Sequence, residues 1–420
     1  MNASAPKGSF LANVRTMVTG TAAAQAIPIL ISPVLTRLYA PAEWGVYATF
    51  MFVAATIAAF ASGNYQYAIM LPDDERGAAN VLGVCLTTVA GVTALCCAFA
   101  LGVSLAPHDL VAAVRIGDWV WLLPPMVLLQ SGFETLNYWI IRKQRFRLLS
   151  TSRVLRAAMM AGANLLFGYA SVPGGLIVSS LLGQLVATSV LAWQVLREDR
   201  AILSGIERAG MRELAHRHRH FPLYALPAEI VSTGATQLPV LFLDATSAGL
   251  FAFVQNVVNA PLTVVSGAVL DSFKERATRD YRETGRFRDI LTKLGGALFL
   301  LGLPGAAVLF FAGPALFAFV FGEEWRAGGE YASILAIMFL AKFVANPLSY
   351  SYYIVERQQE NLVLHTVFAG LTAAALGAGM YGFGSATVAI VLYSATYVVK
   401  YGLYAARAYI FSGGTPHRPS

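Results

Sequence analysis

Apolar runs of helix-spanning length recur along nearly the whole chain, and no other feature restricts its fold as tightly. About 20 apolar residues in a helix cross the hydrocarbon layer of a bilayer. Roughly twelve such runs can be read, at about 10–38, 44–70, 77–105, 118–141, 148–170, 174–196, 221–243, 247–271, 289–312, 327–353, 360–381 and 385–411. Inside hydrocarbon every backbone N–H and C=O has to be paired within its own segment, so each run is expected to be a helix. The 420 residues are 57% hydrophobic and only 13% charged, whereas soluble domains carry about 25% charged residues. A soluble core cannot absorb that much apolar surface. The fold class is therefore an all-α integral membrane protein, and no nucleic-acid partner is expected.

The punctuation between runs is informative. Pro28 and Pro33 interrupt the first run and predict a kink. The segment GPALFAFVFGEEW, residues 313–325, is too short to span and is expected at the interface. The N-terminal MNASAPKGSFLANVRTM lacks an apolar core bounded by a small-residue cleavage site, so the first run is expected to be retained. Cys85, Cys96 and Cys97 share one apolar stretch, which predicts neither a structural disulfide nor a metal site.

Lysine and arginine set the orientation. With the N-terminus inside, the inner loops receive RKQRFR at 142–147, the basic segment 197–220 and KERATRDYRETGRFR at 274–288. The outer loops hold only Arg37, Arg115 and Arg326. An even number of spans then leaves both termini cytoplasmic in a bacterial inner membrane. An internal echo accompanies this pattern: SPVL at 32–35 followed by GVYATF at 45–50, and LPVL at 238–241 followed by GLFAFV at 249–254. Parallel repeats predict two six-helix halves, 1–196 and 221–420, joined by a cytoplasmic linker at 197–220, with a central cavity between them.

Charged groups inside a bilayer are costly and mark cavities or partners. Glu134, Arg153, Arg156, Glu229, Asp271, Lys342 and Lys400 qualify. Gln130, Glu134 and Asn137 follow i, i+4, i+7 spacing on one helical face, while Gln255 with Asn259 and Lys342 with Asn346 are i, i+4 pairs. Such polar stripes fit a water-filled cavity. A single amide in this setting is ordinarily interhelical glue, and Arg153 and Arg156 lie near enough to RKQRFR to snorkel to the headgroups. The run HRHRH at 216–220 spreads its imidazoles around a helix axis among cations, which suits anionic lipids better than a metal. No GxxxxGK[ST] loop, nucleophile elbow or HExxH is present. Neither enzymatic activity nor a cofactor is expected.

The stretch SPVLTRLYAPAEWGVYATF, residues 32–50, reads as one helix leaving the bilayer, a tight corner and a second helix returning. Tyr39 and Trp44 suit the headgroup level, and Pro41 can end one helix and start the next. This corner resembles that of the Wzx-like polysaccharide flippases of the MOP exporter superfamily. WIIRKQRFRLLS at 139–150 is similar to that family's basic loop, and VFGEEWRAGGEYASIL at 320–335 to its FGxxW corner. The resemblance implies a MATE-like pair of six-helix bundles around a central cavity. It also implies an exporter that moves a polyprenyl-pyrophosphate-linked oligosaccharide to the outer leaflet by alternating access. On that basis Lys342, Arg153, Arg156, Asn346, Asn137, Gln255 and Asn259 are expected to line the substrate cavity. Glu134 and Glu229 are expected to couple an ion gradient, and Arg37, Pro41, Trp44 and Gly45 to be structural. The implied partners are the lipid-linked oligosaccharide, anionic lipids and other polysaccharide assembly proteins. The competing expectations are a cation-coupled multidrug exporter and, more remotely, a glycan polymerase or scaffold. Twelve runs also differ from the fourteen helices of lipid II flippases.

Overall fold

A computed structural model describes residues 7–105, 116–219, 221–222, 238–355 and 357–413, with the side chains of 7–19, 21, 264, 267, 268, 271, 272 and 358 left out. The described chain is helical throughout, with no strand. The helices are α1 (Lys7–Leu38), α2 (Pro41–Ala61), α3 (Glu75–Ser104), α4 (Leu123–Arg142), α5 (Phe146–Tyr169) and α6 (Gly175–Glu198). Two short helices follow, α7 (Arg200–Leu203) and α8 (Arg208–Arg217). The remainder are α9 (Ala245–Thr284), α10 (Arg288–Phe321), α11 (Arg326–Leu348), α12 (Ser351–Ile354), α13 (Gln358–Gly377) and α14 (Ala386–Ser412).

Seven stretches among the described residues are long and apolar enough to cross a bilayer: Pro41–Ala61, Glu75–Ser104, Gly175–Glu198, Arg288–Phe321, Glu323–Ile354, Gln359–Gly382 and Ala386–Ser412. Helices α4 and α5 fall outside that set because polar residues interrupt them: Gln130, Glu134 and Asn137 in one, Arg153, Arg156 and Asn164 in the other. At 20 and 24 residues they are nevertheless long enough to reach across a bilayer. The protein is a multi-pass membrane protein.

The chain divides into two compact units. The first comprises Met1–Tyr39 and Val46–Gly234, the second Ala40–Gly45 and Ala235–Ser420. In the first, α3, α4 and α6 share a core in which Leu82, Trp139, Ile140 and Leu191 are fully or almost fully buried. A second cluster joins Phe50 and Ala54 of α2 to Val89 of α3 and Val127 of α4. Helix α1 lies along α5, where Tyr39 Oη donates to the Asn164 carbonyl at 2.8 Å. Residues 197–217 fold onto this unit. Ile202, Ile206 and Leu214 pack against its core, and the Asn80 Oδ1 atom accepts from the Glu207 backbone at 2.8 Å. In the HRHRH run His216 is exposed and His218 buried, while His220 lies outside the described residues.

The second unit contains the 40–45 corner. The Ala40 N–H donates to Glu43 Oε2 at 2.9 Å, and Pro41 occupies the first helical position of α2, where its missing N–H costs nothing. Trp44 packs edge-on against Phe253 and Trp325, with centroids 5.1 and 6.1 Å away. Asp244 caps α9 by accepting from the Ser247 N–H at 3.0 Å. That bond and neighbouring backbone N–H groups outweigh burial and hold its carboxyl below the usual range. At the other end of the unit, Phe273, Phe287, Tyr352 and Phe411 close a core.

Two stretches differ from the expectation. Residues 313–325 do not form a separate interfacial segment: α10 runs unbroken through Gly313 and Pro314 to Phe321, followed by a short turn at Glu323–Trp325. Gly313 makes this possible, because α11 approaches with the Gly329 backbone directly against it and a side chain on either residue would collide. The basic stretch after 271 is likewise helix rather than loop. Helix α9 continues to Thr284 and stops at Gly285, whose φ of 70° is the left-handed conformation that suits glycine.

Candidate functional site

Polar groups collect at one place in each unit. In the first, α1, α4 and α5 enclose a cavity of about 310 Å³. Its wall carries Gln25 and Pro28 of α1, Phe133 and Glu134 of α4, and Arg153, Arg156 and Met160 of α5. Glu134 lies within electrostatic reach of both arginines and of the Asn137 amide. Arg156 donates from Nη1 to Gln184 Oε1 of α6 at 3.0 Å, and its guanidinium lies 5.9 Å from the Phe133 ring centroid. Gln184 is itself held by the Leu129 carbonyl and the Thr188 hydroxyl. The second arginine is thus positioned by a chain of amides rather than by an acid alone. Behind it, Ser180 Oγ donates to Tyr47 Oη at 3.2 Å.

The i, i+4, i+7 stripe on α4 explains the geometry. It turns Gln130, Glu134 and Asn137 to one side, while Arg153 and Arg156, three residues apart, share a face of α5. Gln25 Oε1, Gln130 Oε1 and Asn137 Oδ1 are buried acceptors without a protein donor among the described residues. Buried acceptors of that kind call for water or ligand donors.

In the second unit, Lys342 of α11 donates from Nζ to Asn259 Oδ1 of α9 at 2.8 Å. Asn259 passes its own Nδ2 hydrogen to Gln255 Oε1 at 2.6 Å, one turn earlier. Asn346, one turn beyond Lys342, is exposed. Helix α14 adds a tyrosine ladder: Tyr393 and Tyr397 have ring centroids 4.6 Å apart, and Tyr397 and Tyr401 5.8 Å. Lys400 is buried beside them. At the end of this helix Arg407 and Arg357 pair with Glu360, at 2.5 and 3.6 Å.

The expected residues therefore fall into two groups, Glu134, Asn137, Arg153 and Arg156 in one unit and Gln255, Asn259 and Lys342 in the other. Glu229 lies outside the described residues. Pro41, Trp44 and Gly45 form the corner described above, and Arg37, exposed, donates to the Pro33 carbonyl one turn back. Sequence reasoning passed over the tyrosine ladder and His365. The signal was present as tyrosines at 393, 397, 401 and 404, all on one helical face.

Outside the membrane-spanning part, Arg145 anchors the ends of α4 and α6. It grips Asp199 through two hydrogen bonds of 2.8 Å, and Trp139 Nε1 donates to the same carboxylate at 2.9 Å. Burial alone would raise the Asp199 pKa, but these donors prevail and hold it below the ordinary value. Arg145 is correspondingly raised, chiefly by its hydrogen bonds to Asp199.

Comparison with known proteins gives the chain its relatives. Among solved structures it is similar to the lipid II flippase MurJ in an inward closed conformation. The TM-score is 0.72 at 11% identity, over 94% of this chain and 89% of that one. It is also similar to a multidrug resistance MATE family transporter of the MOP superfamily in an inward-facing conformation. There the TM-score is 0.62 at 12% identity, over 94% of this chain and 96% of that one. Likenesses at this identity establish the fold. No curated protein matches the chain in sequence. A family profile described as polysaccharide biosynthesis protein matches residues 34–328. The chain therefore belongs to the polysaccharide biosynthesis protein family and has the fold of the MOP-superfamily transporters.

Proposed function

We propose that the protein is a flippase. It carries a polyprenyl-diphosphate-linked oligosaccharide from the cytoplasmic to the periplasmic leaflet of a bacterial inner membrane, by alternating access coupled to an ion gradient. The observation that carries this reading is the cavity holding Arg153 and Arg156 within membrane helices, beside amide acceptors that have no protein donor among the described residues. Guanidinium groups bind phosphate oxygens through charge-assisted hydrogen bonds. Amides and tyrosines suit hydroxyl-rich sugars. Lys342 and the neighbouring Asn259 and Gln255 offer the same chemistry in the second unit. Glu134, set against two arginines, is the group to exchange a proton with the gradient.

A multidrug exporter of the same fold is the second reading. Organic cations need acidic or aromatic cavities, and two arginines against one glutamate disfavour them here. The test is deletion of the gene followed by an impermeant glycan-binding probe applied to spheroplasts. Lipid-linked repeat units that accumulate and stay hidden support the flippase. Units that accumulate but are reached from outside place the defect after transport, and unchanged glycan with raised sensitivity to cationic drugs favours the exporter.

A further inference from the structure

Lys400 keeps only 5% of its surface exposed, and its Nζ lies 3.5 Å from His365 Nδ1 on α13. The same ammonium sits 5.0 Å from the centroid of the Tyr397 ring. Lys342 of α11 is near enough to act on its charge. Lys400 of α14 thus has a basic group of α13 in contact and one of α11 within reach of its charge. Among the described residues no carboxylate acts on any of them, and Glu360 of α13 is taken by Arg407 and Arg357. The remaining groups around them are phenols and amides: Tyr397, Tyr401 and Tyr404 on α14, Tyr352 of α12 against Tyr404, and Asn259 of α9 on Lys342.

Uncompensated positive charge in a low-dielectric interior is costly, and removing a proton relieves it. Two bases in contact do not titrate independently; the first proton opposes the second. An anion brought close reverses the balance, because it stabilises the doubly protonated state. We propose that His365 and Lys400 form a proton-loading pair. The pair shares one proton when empty and takes a second from water when a phosphate-class anion is held at Lys342. The proposal rests on the flippase reading, which makes the substrate diphosphate the source of that anion. Its consequence is charge matching: the site gains a positive charge only while an anion is there to meet it.

The test uses the full-length protein in phosphatidylcholine nanodiscs, with inorganic pyrophosphate as probe and its Kd measured from pH 6 to 8. Pyrophosphate titrates identically against every variant, so differences in slope belong to the protein. In the wild type, affinity should fall with rising pH more steeply than in His365→Gln, the extra slope approaching about tenfold per pH unit, as one linked proton requires. Lys400→Met should lose the same extra slope, and it carries the test if His365→Gln proves poorly folded by gel filtration. Equal slopes in wild type and variant, or no pyrophosphate binding, overturn the proposal. Nanodiscs doped with polyprenyl diphosphate should suppress pyrophosphate binding. Suppression by phosphatidylglycerol alone would make this a lipid-headgroup site and overturn the assignment. The two readings fail separately. Equal slopes with normal glycan exposure in cells discard only the proton pair, whereas normal glycan exposure in the deletion strain discards the flippase and the pair's role with it.

Discussion

Gly45 and Gly249 occupy reciprocal positions. A Cβ on Gly45 would fall on the carbonyl oxygen of Ala245, and one on Gly249 would fall on that of Pro41. Each glycine lies four residues after the residue that its counterpart touches, and each opens one member of the GVYATF and GLFAFV echo. The starts of α2 and α9 therefore meet backbone to backbone, the close approach that small residues permit in membranes.

That contact leaves no room for a methyl group. Gly45→Ala and Gly249→Ala are each expected to destabilise the protein by about 1–3 kcal/mol. Thermal unfolding in detergent checks this, with Gly370→Ala as control. Gly370 has open space where its Cβ would stand, so that change should be neutral or should stabilise by up to about 1 kcal/mol through helix propensity. Trp44→Ala, which removes the ring packed edge-on against Phe253 and Trp325, should cost about 3–5 kcal/mol.

Asp199→Ala strands the Trp139 N–H and leaves Arg145 to Glu198, 3.2 Å away, and a cost of about 3 kcal/mol is expected for breaking a pair whose acid is buried. The pH dependence has a definite sign. The folded pKa of Asp199 lies below its unfolded value, so its stabilisation is complete above about pH 4, the ordinary carboxylate value. It is lost as pH falls through the folded pKa. Melting curves taken at descending pH should show wild type losing stability in that acid range, and Asp199→Ala losing less.

Lys342→Ala should weaken binding of a polyprenyl diphosphate about 10- to 100-fold, the worth of a hydrogen bond to a charged group. Binding to protein in nanodiscs measures it, and glycan exposure on spheroplasts should fall in parallel. Unchanged affinity with intact expression would remove Lys342 from the substrate site.

Glu134→Gln keeps the size of the side chain and one acceptor oxygen but cannot release a proton. Transport in proteoliposomes should lose its dependence on pH between about 6 and 8, where one coupled proton allows a wild-type change of up to about tenfold per unit. A variant that retains the wild-type pH profile excludes Glu134 as the coupling group.

Much of this architecture was written in local pattern. Helices α3, α5, α6, α13 and α14 begin and end within a few residues of the apolar runs, because a bilayer enforces length and backbone pairing. The Gln255 and Asn259 pair was also legible, since i, i+4 spacing suffices to bring the two amides together. The bond from Lys342 to Asn259 was not, because its partners are 83 residues apart and only tertiary packing joins them. Helix α10 hid for the opposite reason. Gly313 and Pro314 look like a break in sequence, and only the Gly329 backbone lying against them explains the pairing. The tyrosine ladder on α14 reads in sequence as ordinary interface aromatics until His365 and Lys400 are seen beside it.

The amide that holds Lys342 sets how a carrier could work at this position. An anion that takes the hydrogen Lys342 now gives to Asn259 displaces that amide, so the free energy gained there is a difference between two bonds rather than the whole of one. When the anion departs, Asn259 is already at hand to replace it, and no bare ammonium is left in hydrocarbon. A lysine with a resident competitor binds less tightly than a vacant one and releases more readily. For the flippase proposed above, which has to let go on the far side of the membrane, that moderation favours turnover over capture.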